Sequence, residues 1–103
     1  MDTDPKRTIA DVNDEFRRTG PVHVTPGVGE RDDTLAIIMA VRSFDDFNEE
    51  NDPYGEHDCA GFEWQGEDII WKIDYYDANH EFWEDPLSPE CQRVLTVMLA
   101  AEY

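Results

Sequence analysis

The sequence has 103 residues, a length typical of one small domain. The formal net charge of −17 is extreme, yet 40% of the residues are hydrophobic and 12% are aromatic, so a folded core is expected and a disordered acidic chain is excluded. The longest apolar run, residues 35–41, is too short to span a membrane, and no apolar stretch follows the charged start. The composition therefore predicts a soluble, cytoplasmic protein with no secretory signal and no membrane partner.

The first third of the chain predicts a helix, a strand and a second helix. The first helix is expected from Asp4, as its N-cap, to Thr19, with Pro5 at its first position and Gly20 as its stop. A short β-branched run, residues 21–25, predicts a strand. Residues 31–43 carry two neighbouring apolar stripes, which predict a helix that is largely buried.

A long polar loop and a hairpin are predicted next. Residues 45–56 have no hydrophobic period and predict a loop. Residues 58–64 and 68–76 predict two antiparallel strands joined by Gln65, Gly66 and Glu67. In the second strand every other residue is expected to face the core: Ile69, Trp71, Ile73 and Tyr75.

The final segment, residues 88–103, predicts a third helix. Ser88 would be its N-cap, Pro89 its first residue, and the apolar residues from Cys91 to Leu99 recur at helical spacing. The predicted order is αβαββα, a single acidic α+β domain over residues 1–103. Its small antiparallel sheet of about three to four strands, the fourth from residues 81–83, would pack against three helices.

The negative charge is concentrated in the middle of the chain. Residues 44–87 contain fifteen acidic side chains and one base, Lys72, whereas the segments on either side are nearly neutral. Such a charge density repels nucleic acid and attracts basic protein surfaces. A single acidic run is usually a solvated surface, so only the total supports a binding function.

Aromatic residues in this acidic segment predict a protein-binding surface. Tyr76, Phe82 and Trp83 lie outside the strand alternation, where exposed rings supply contact area and the surrounding carboxylates meet lysine and arginine. The predicted partner-binding residues are Asp45, Asp46, Glu49, Glu50, Asp52, Glu56, Asp74, Tyr76, Asp77, Glu81, Trp83, Glu84 and Asp85.

Catalytic and metal signatures are weak. The acidic loop lacks the glycine and the final glutamate of a calcium-binding EF-hand, and neither HExxH nor CxxC occurs. His57 and Asp58, with nearby carboxylates, remain an alternative as a zinc, iron or manganese site. Cys59 and Cys91 are expected to be buried free thiols, although a disulfide between them stays open. We therefore expect no catalytic residue, no bound metal and no cofactor.

Three segments of the chain resemble one bacterial protein family. DPYGEHD at residues 52–58, WKIDYYD at residues 71–77 and RVLTVMLAAEY at residues 93–103 are similar to domain of unknown function 3768. IADVNDEFR and VTPGV, earlier in the chain, fit the same pattern. The resemblance implies a bacterial or mobile-element origin and one compact domain, and it assigns no activity, cofactor or partner.

The leading functional hypothesis is a non-enzymatic acidic protein that imitates nucleic acid. Carboxylates at alternate strand positions lie roughly 7 Å apart, close to two steps of a phosphate backbone at ~3.4 Å each. Such a protein would block the basic groove of a nuclease or DNA-binding protein, as anti-CRISPR and anti-restriction proteins do. The alternatives are the metal site with His57 and Asp58, and a generic protein-interaction domain whose acidity only keeps it soluble.

Overall fold

The computed structural model describes residues 7–103 and shows an α+β fold with one four-stranded sheet. Its elements are α1 (Ile9–Thr19), β1 (Val22–Val24), α2 (Pro26–Gly29), α3 (Thr34–Arg42), β2 (Cys59–Trp64), β3 (Glu67–Tyr76), β4 (Gln92–Leu99) and a 3₁₀ turn (Ala100–Glu102). The strand order is β1-β4-β3-β2. Because β1 runs parallel to β4 while the other pairs are antiparallel, the sheet is mixed. The predicted α+β class and strand number are confirmed.

Helix α1 begins at a capping box. The Thr8 hydroxyl accepts a hydrogen bond from the Asp11 backbone N–H, and the Asp11 carboxylate accepts one from the Thr8 backbone N–H. The predicted cap and first residue, Asp4 and Pro5, lie outside the described residues. Gly20 ends the helix as predicted, and its N–H donates to the Phe16 carbonyl.

The core lies between one face of the sheet and the helices. Ile69, Trp71 and Ile73 alternate along β3 into this core as predicted, and Leu95 and Val97 join them from β4. The helices contribute Val28, Ile37 and Val41, all fully buried. Burial of this apolar surface is the main force that stabilises the fold.

The prediction that the second helix is largely buried is wrong for one of its stripes. In α3, Ile37 and Val41 are fully buried, but Leu35 is 71% exposed and Met39 is 58% exposed. A helix that packs on only one face of a sheet buries the stripe that faces it, and α3 turns its second apolar stripe to solvent.

The hairpin of β2 and β3 closes through a tighter turn than expected. Gln65 and Gly66 both have positive φ, 48° and 84°, and Glu67 already belongs to β3. Two residues with positive φ form the type I′ turn that matches the twist of antiparallel strands. The register then pairs Trp64 with Glu67 and Cys59 with Lys72.

The prediction of a C-terminal helix is wrong, because residues 92–99 form strand β4. The expected cap instead makes a turn, in which the Ser88 hydroxyl accepts from Glu90 N–H and the Ser88 carbonyl from Cys91 N–H. β4 carries apolar residues on both of its faces, Leu95 and Val97 towards the core and Val94 and Met98 on the opposite face, and together they imitate helical spacing. The observed order therefore ends in a strand rather than in a helix.

Two further expectations concern the remaining elements. The predicted fourth strand at residues 81–83 is reduced to an isolated bridge between Trp83 and Tyr76. Both cysteines are free, but Cys59 is exposed on strand β2 and Cys91 is half-buried, so the expectation of two buried thiols is wrong for Cys59. Within residues 7–103, no helix combines the length and apolar character that a membrane span requires.

Candidate functional site: the acidic end of the sheet

The topology brings two acidic loops to the same end of the sheet. Strand β2 begins after the loop at residues 43–58, whereas β3 ends and β4 begins at the loop of residues 77–91. Because β2 and β4 both run antiparallel to β3, the first residues of β2 and β4 lie at the same end of the sheet as the last residues of β3. We call this end of the molecule the acidic end. Twelve of the fifteen acidic residues lie there, and Glu63, Glu67 and Asp68 lie at the opposite, hairpin end.

The outer surface of the acidic end combines carboxylates with large exposed apolar side chains. Tyr54 is 87% exposed, Phe82 and Trp83 are each 70% exposed, and Leu87 is 54% exposed. Seven acidic residues in the two loops are also exposed: Asp45, Asp46, Glu49, Glu50, Glu81, Asp85 and Glu90. Exposed aromatics next to charged groups are typical of protein-binding surfaces.

Two asparagine side chains hold the first half of the first loop in shape. Asn48 Oδ1 accepts hydrogen bonds from the N–H groups of Glu50 and Asn51, and Asn51 Nδ2 donates to the Asp46 carbonyl. The carboxylates of Asp45, Asp46, Glu49 and Glu50 make no hydrogen bond to any residue from 7 to 103. These four side chains therefore remain available to an outside partner.

Six of the predicted partner-binding carboxylates take part in contacts within the fold. The nearly buried Asp52 accepts from the N–H groups of Glu56 and His57, and Glu56 Oε1 accepts from the Tyr75 hydroxyl at 3.0 Å. Asp77 caps its own turn by accepting from the N–H groups of Asn79 and Glu81, and these bonds lower its pKa. Three more carboxylates have partners: Asp74 with Lys72 at 2.7 Å, Glu84 with the N–H of Asp85, and Asp85 with the N–H of Leu87.

The remaining predicted residues fall on the same surface. Tyr76 is half-buried at the end of β3 and pairs with the exposed Trp83 through the isolated bridge. A shallow groove of about 350 Å³ lies between them and includes Asp58 and Asp74 in its lining. The structure thus brings Trp83 beside the end of β3, next to carboxylates from both strands of the hairpin.

A buried asparagine ties the two loops to the helix and the sheet. Asn13 in α1 is fully buried, and its Nδ2 donates to the Glu56 carbonyl at 3.0 Å and to the Tyr75 hydroxyl at 2.8 Å. Its Oδ1 accepts from Arg93 Nε at 2.6 Å, and Arg93 also donates to the Pro86 carbonyl. One amide therefore connects α1, β3, β4 and both acidic loops. Burial raises the pKa of Tyr75, so its hydroxyl keeps the proton that it donates.

A second buried group secures the start of the first loop. Arg17 is 1% exposed and donates to the carbonyls of Val41 and Phe44 and to the Asp14 carboxylate. His57 Nδ1 lies 2.9 Å from the same Asp14 oxygen, and the imidazole stacks on Phe47 with ring centroids 3.8 Å apart. These contacts fix the loop at both of its ends.

The structure separates the two residues of the metal hypothesis. The His57 ring faces Asp14 and Asp52, with Nε2 3.6 Å from an Asp52 oxygen. Asp58 instead lies beside Cys59 at the start of β2, where burial, followed by the charges of nearby carboxylates, raises its pKa. In the part of the chain that the structure describes, no group of three or more His, Cys, Asp or Glu side chains is arranged to hold a metal ion.

A comparison with protein-family models gives one match. The model described as "Protein of unknown function (DUF3768)" matches residues 24–102. The chain belongs to the DUF3768 family. The matched range contains both acidic loops and strands β2 to β4 of this DUF3768 protein, whereas helix α1 lies before it. No curated protein and no solved structure gives a significant match.

Sequence reasoning missed the residues that position the acidic end. Asn13, Arg17 and Arg93 were not singled out, although Asn13 and Arg17 are four residues apart and therefore share one face of α1. That face of α1 packs against the rest of the fold, where the two side chains donate hydrogen bonds to the backbone carbonyls of Glu56, Val41 and Phe44. A polar pair at this spacing beside Ile9, Val12 and Phe16 was the only available signal.

Proposed function

We propose that this DUF3768 protein is a non-enzymatic binding protein whose acidic end occupies a basic protein surface that otherwise binds nucleic acid. The observation that supports it best is the convergence of both acidic loops at one end of the sheet, with exposed aromatic side chains among them. Nuclease complexes and DNA-binding proteins of the kind blocked by anti-CRISPR or anti-restriction proteins form the proposed partner class.

The charge of the acidic end supports a partner rich in lysine and arginine. The exposed carboxylates of Asp45, Asp46, Glu49 and Glu50 all lie within residues 45–50 of the first loop. Each would attract a cation over the Debye length of about 8 Å at physiological salt, which steers the encounter and selects against acidic partners. A groove that has evolved to hold phosphates presents such cations already in place.

The exposed aromatic rings would supply binding energy that the charged side chains do not. Charge pairs at the rim of an interface add little affinity, whereas aromatic residues at its centre often dominate the binding energy. Trp83 and Phe82 lie in the second loop of the acidic end and are largely exposed. We therefore expect Trp83 to be an anchor, and the surrounding carboxylates to set orientation and specificity.

A matched pair of charge reversals tests the proposal. Glu49→Lys with Glu50→Lys changes the acidic end, and Glu67→Lys with Asp68→Lys makes the same change in net charge at the hairpin end. Proteins captured from a bacterial lysate at low salt should be lost from the first variant and kept by the second. Two reversed charges near a basic groove should weaken binding on the order of tenfold at 0.15 M salt.

The captured partner must then meet two further conditions. Duplex DNA should compete for it, and its affinity should fall steeply as salt rises. Equal binding by both charge variants, or a complex insensitive to salt and DNA, would refute nucleic-acid mimicry and indicate an apolar interface instead. Circular dichroism of both variants provides the control for folding.

A further inference from the structure

We infer that the free edge of strand β2 binds an extended, basic segment of the partner as an additional strand of the sheet. This inference rests on the proposed function, since it specifies the form of the basic partner. β2 is the last strand in the order β1-β4-β3-β2, so among residues 7–103 only one of its sides is paired. It is six residues long, enough for a ladder with an added strand.

The alternation of hydrogen-bonded pairs between β2 and β3 shows which backbone groups of β2 point away from the sheet. Ile73 N–H donates to the Asp58 carbonyl at 2.7 Å, so residues 58 and 73 form a hydrogen-bonded pair. Hydrogen-bonded pairs occur at every second residue of an antiparallel ladder, so the backbone groups of Ala60 and Phe62 also point towards β3 and bond to it. The backbone groups of Cys59, Gly61 and Glu63 therefore point away from the sheet, and they have no hydrogen-bond partner among residues 7–103.

The edge lacks three of the features that protect many edge strands, and Glu63 is its one charged residue. Natural edges carry proline, lysine or a bulge that prevents further pairing. Strand β2 contains none of these, its register with β3 is uninterrupted, and its first half is the small triplet Cys59, Ala60 and Gly61. Because Gly61 has no side chain, another backbone has unobstructed access at the centre of the edge.

A groove beside this edge fits a basic side chain. It has a volume of about 470 Å³, and its lining includes Gly61, Ile70, Tyr103, the carboxylates of Asp58 and Asp74, and one base, Lys72. The apolar floor of Gly61 and Ile70 suits the stem of a lysine or arginine, and the carboxylates suit its charged end. Asp74 already pairs with Lys72, whereas Asp58 makes no ion pair with any residue from 7 to 103.

The same charges disfavour a second copy of this chain as the occupant. An antiparallel pairing of two β2 edges centred on Gly61 would place Glu63 of each copy opposite residue 59 of the other, beside Asp58. Glu63 of each copy would then lie close to Asp58 of the other at both ends of the new ladder, and two chains of net charge −17 would repel each other. A basic segment reverses the sign of both contacts.

The experiment uses a synthetic peptide of alternating lysine or arginine and valine, Ac-KVRVTVRVK-amide, with the full-length protein. Binding should slow hydrogen exchange at the amides of Cys59, Gly61 and Glu63 by about tenfold or more, while Ala60 and Phe62 change little. The control peptide has the same sequence with N-methyl groups on three consecutive central residues. We expect it to bind about tenfold more weakly, because it cannot complete the ladder.

Substitutions in β2 test the same interaction in the protein rather than in the peptide. Cys59→Pro removes an outward N–H at the first strand position, where proline is tolerated, and Cys59→Ala is its control. The proline variant should bind the peptide about tenfold more weakly than the alanine variant. If Cys59→Pro fails to fold, Glu63→Pro against Glu63→Gln makes the same comparison.

The outcomes separate this inference from the proposed function. Equal affinity for both peptides, or for both Cys59 variants, overturns strand addition even where Glu49→Lys with Glu50→Lys still weakens binding. Protection of the outward amides that rises with protein concentration alone overturns it in favour of a second copy. Loss of binding in the proline variant without any effect of the charge reversals supports strand addition and refutes the acidic end as the binding surface.

Discussion

Replacing Asn13 by alanine should be among the most destabilising single changes to a polar residue in this protein. The amide makes three hydrogen bonds, to the Glu56 carbonyl, the Tyr75 hydroxyl and Arg93 Nε, and it is fully buried. Each of the two neutral bonds contributes about 0.5–1.5 kcal/mol, and the bond from the charged Arg93 contributes about 1.5–3 kcal/mol. The expected loss in the free energy of unfolding is therefore about 2.5–6 kcal/mol.

Urea denaturation followed by tryptophan fluorescence measures this loss. A change of this size is a large fraction of the usual stability of about 5–15 kcal/mol and should lower the Tm on the order of 15 °C. Asn79→Ala is the matched control, since Asn79 is an exposed asparagine of the second loop and should change stability by less than about 0.5 kcal/mol. A loss below about 1 kcal/mol for Asn13→Ala would refute the role of this amide as the link between loops, helix and sheet.

Two further predictions concern carboxyl groups with shifted pKa values. The raised pKa of Asp58 means that its ionised form is disfavoured in the folded protein, so the free energy of unfolding falls as pH rises through that pKa. Asp58→Asn should therefore stabilise the protein more at about pH 7 than at about pH 3. Urea denaturation at both pH values measures the difference. The Asp33 carboxyl has a pKa lowered to about 2, mainly by its hydrogen bond from Arg31 and then by that from Trp64 Nε1. Its contribution to stability is present above the ordinary value of 3.8 and is lost as pH falls through about 2, so the indole N–H resonance of Trp64 should shift over this interval in wild type and stay constant in Asp33→Asn.

The elements whose sequence pattern had one interpretation were predicted well. The alternation in β3 identified Ile69, Trp71 and Ile73 as core residues, because no helix places every second residue on one face. The segment at residues 92–99 had two interpretations. Its apolar residues fit helical spacing, but Val94, Thr96 and Val97 are β-branched and favour a strand. The neighbours β1 and β3 decide between them, and their pairing is not visible in the local sequence.

The acidic residues of the site were predictable, but their separation into inward and outward groups was not. Asp52 and Asp46 look alike in the sequence, yet Asp52 is nearly buried and accepts two backbone hydrogen bonds while Asp46 is exposed. The difference arises from contacts across the fold, such as the 43-residue separation between Asn13 and Glu56. Local composition carries no information about such pairings.

The positions of the arginines explain how the acidic end keeps its charge. Arg17 and Arg93 come from outside the acidic segment and reach it in the fold, where they could have neutralised the exposed carboxylates. They instead donate to the carbonyls of Val41, Phe44 and Pro86 and to the inward-facing Asp14 and Asn13. These two cations thus hold both loops by their backbones and leave the outer carboxylates unpaired with them. A partner of the proposed kind would lose less free energy in ordering loops held in this way, so the same contacts would provide both the negative surface and the preformed loops of the proposed binding site.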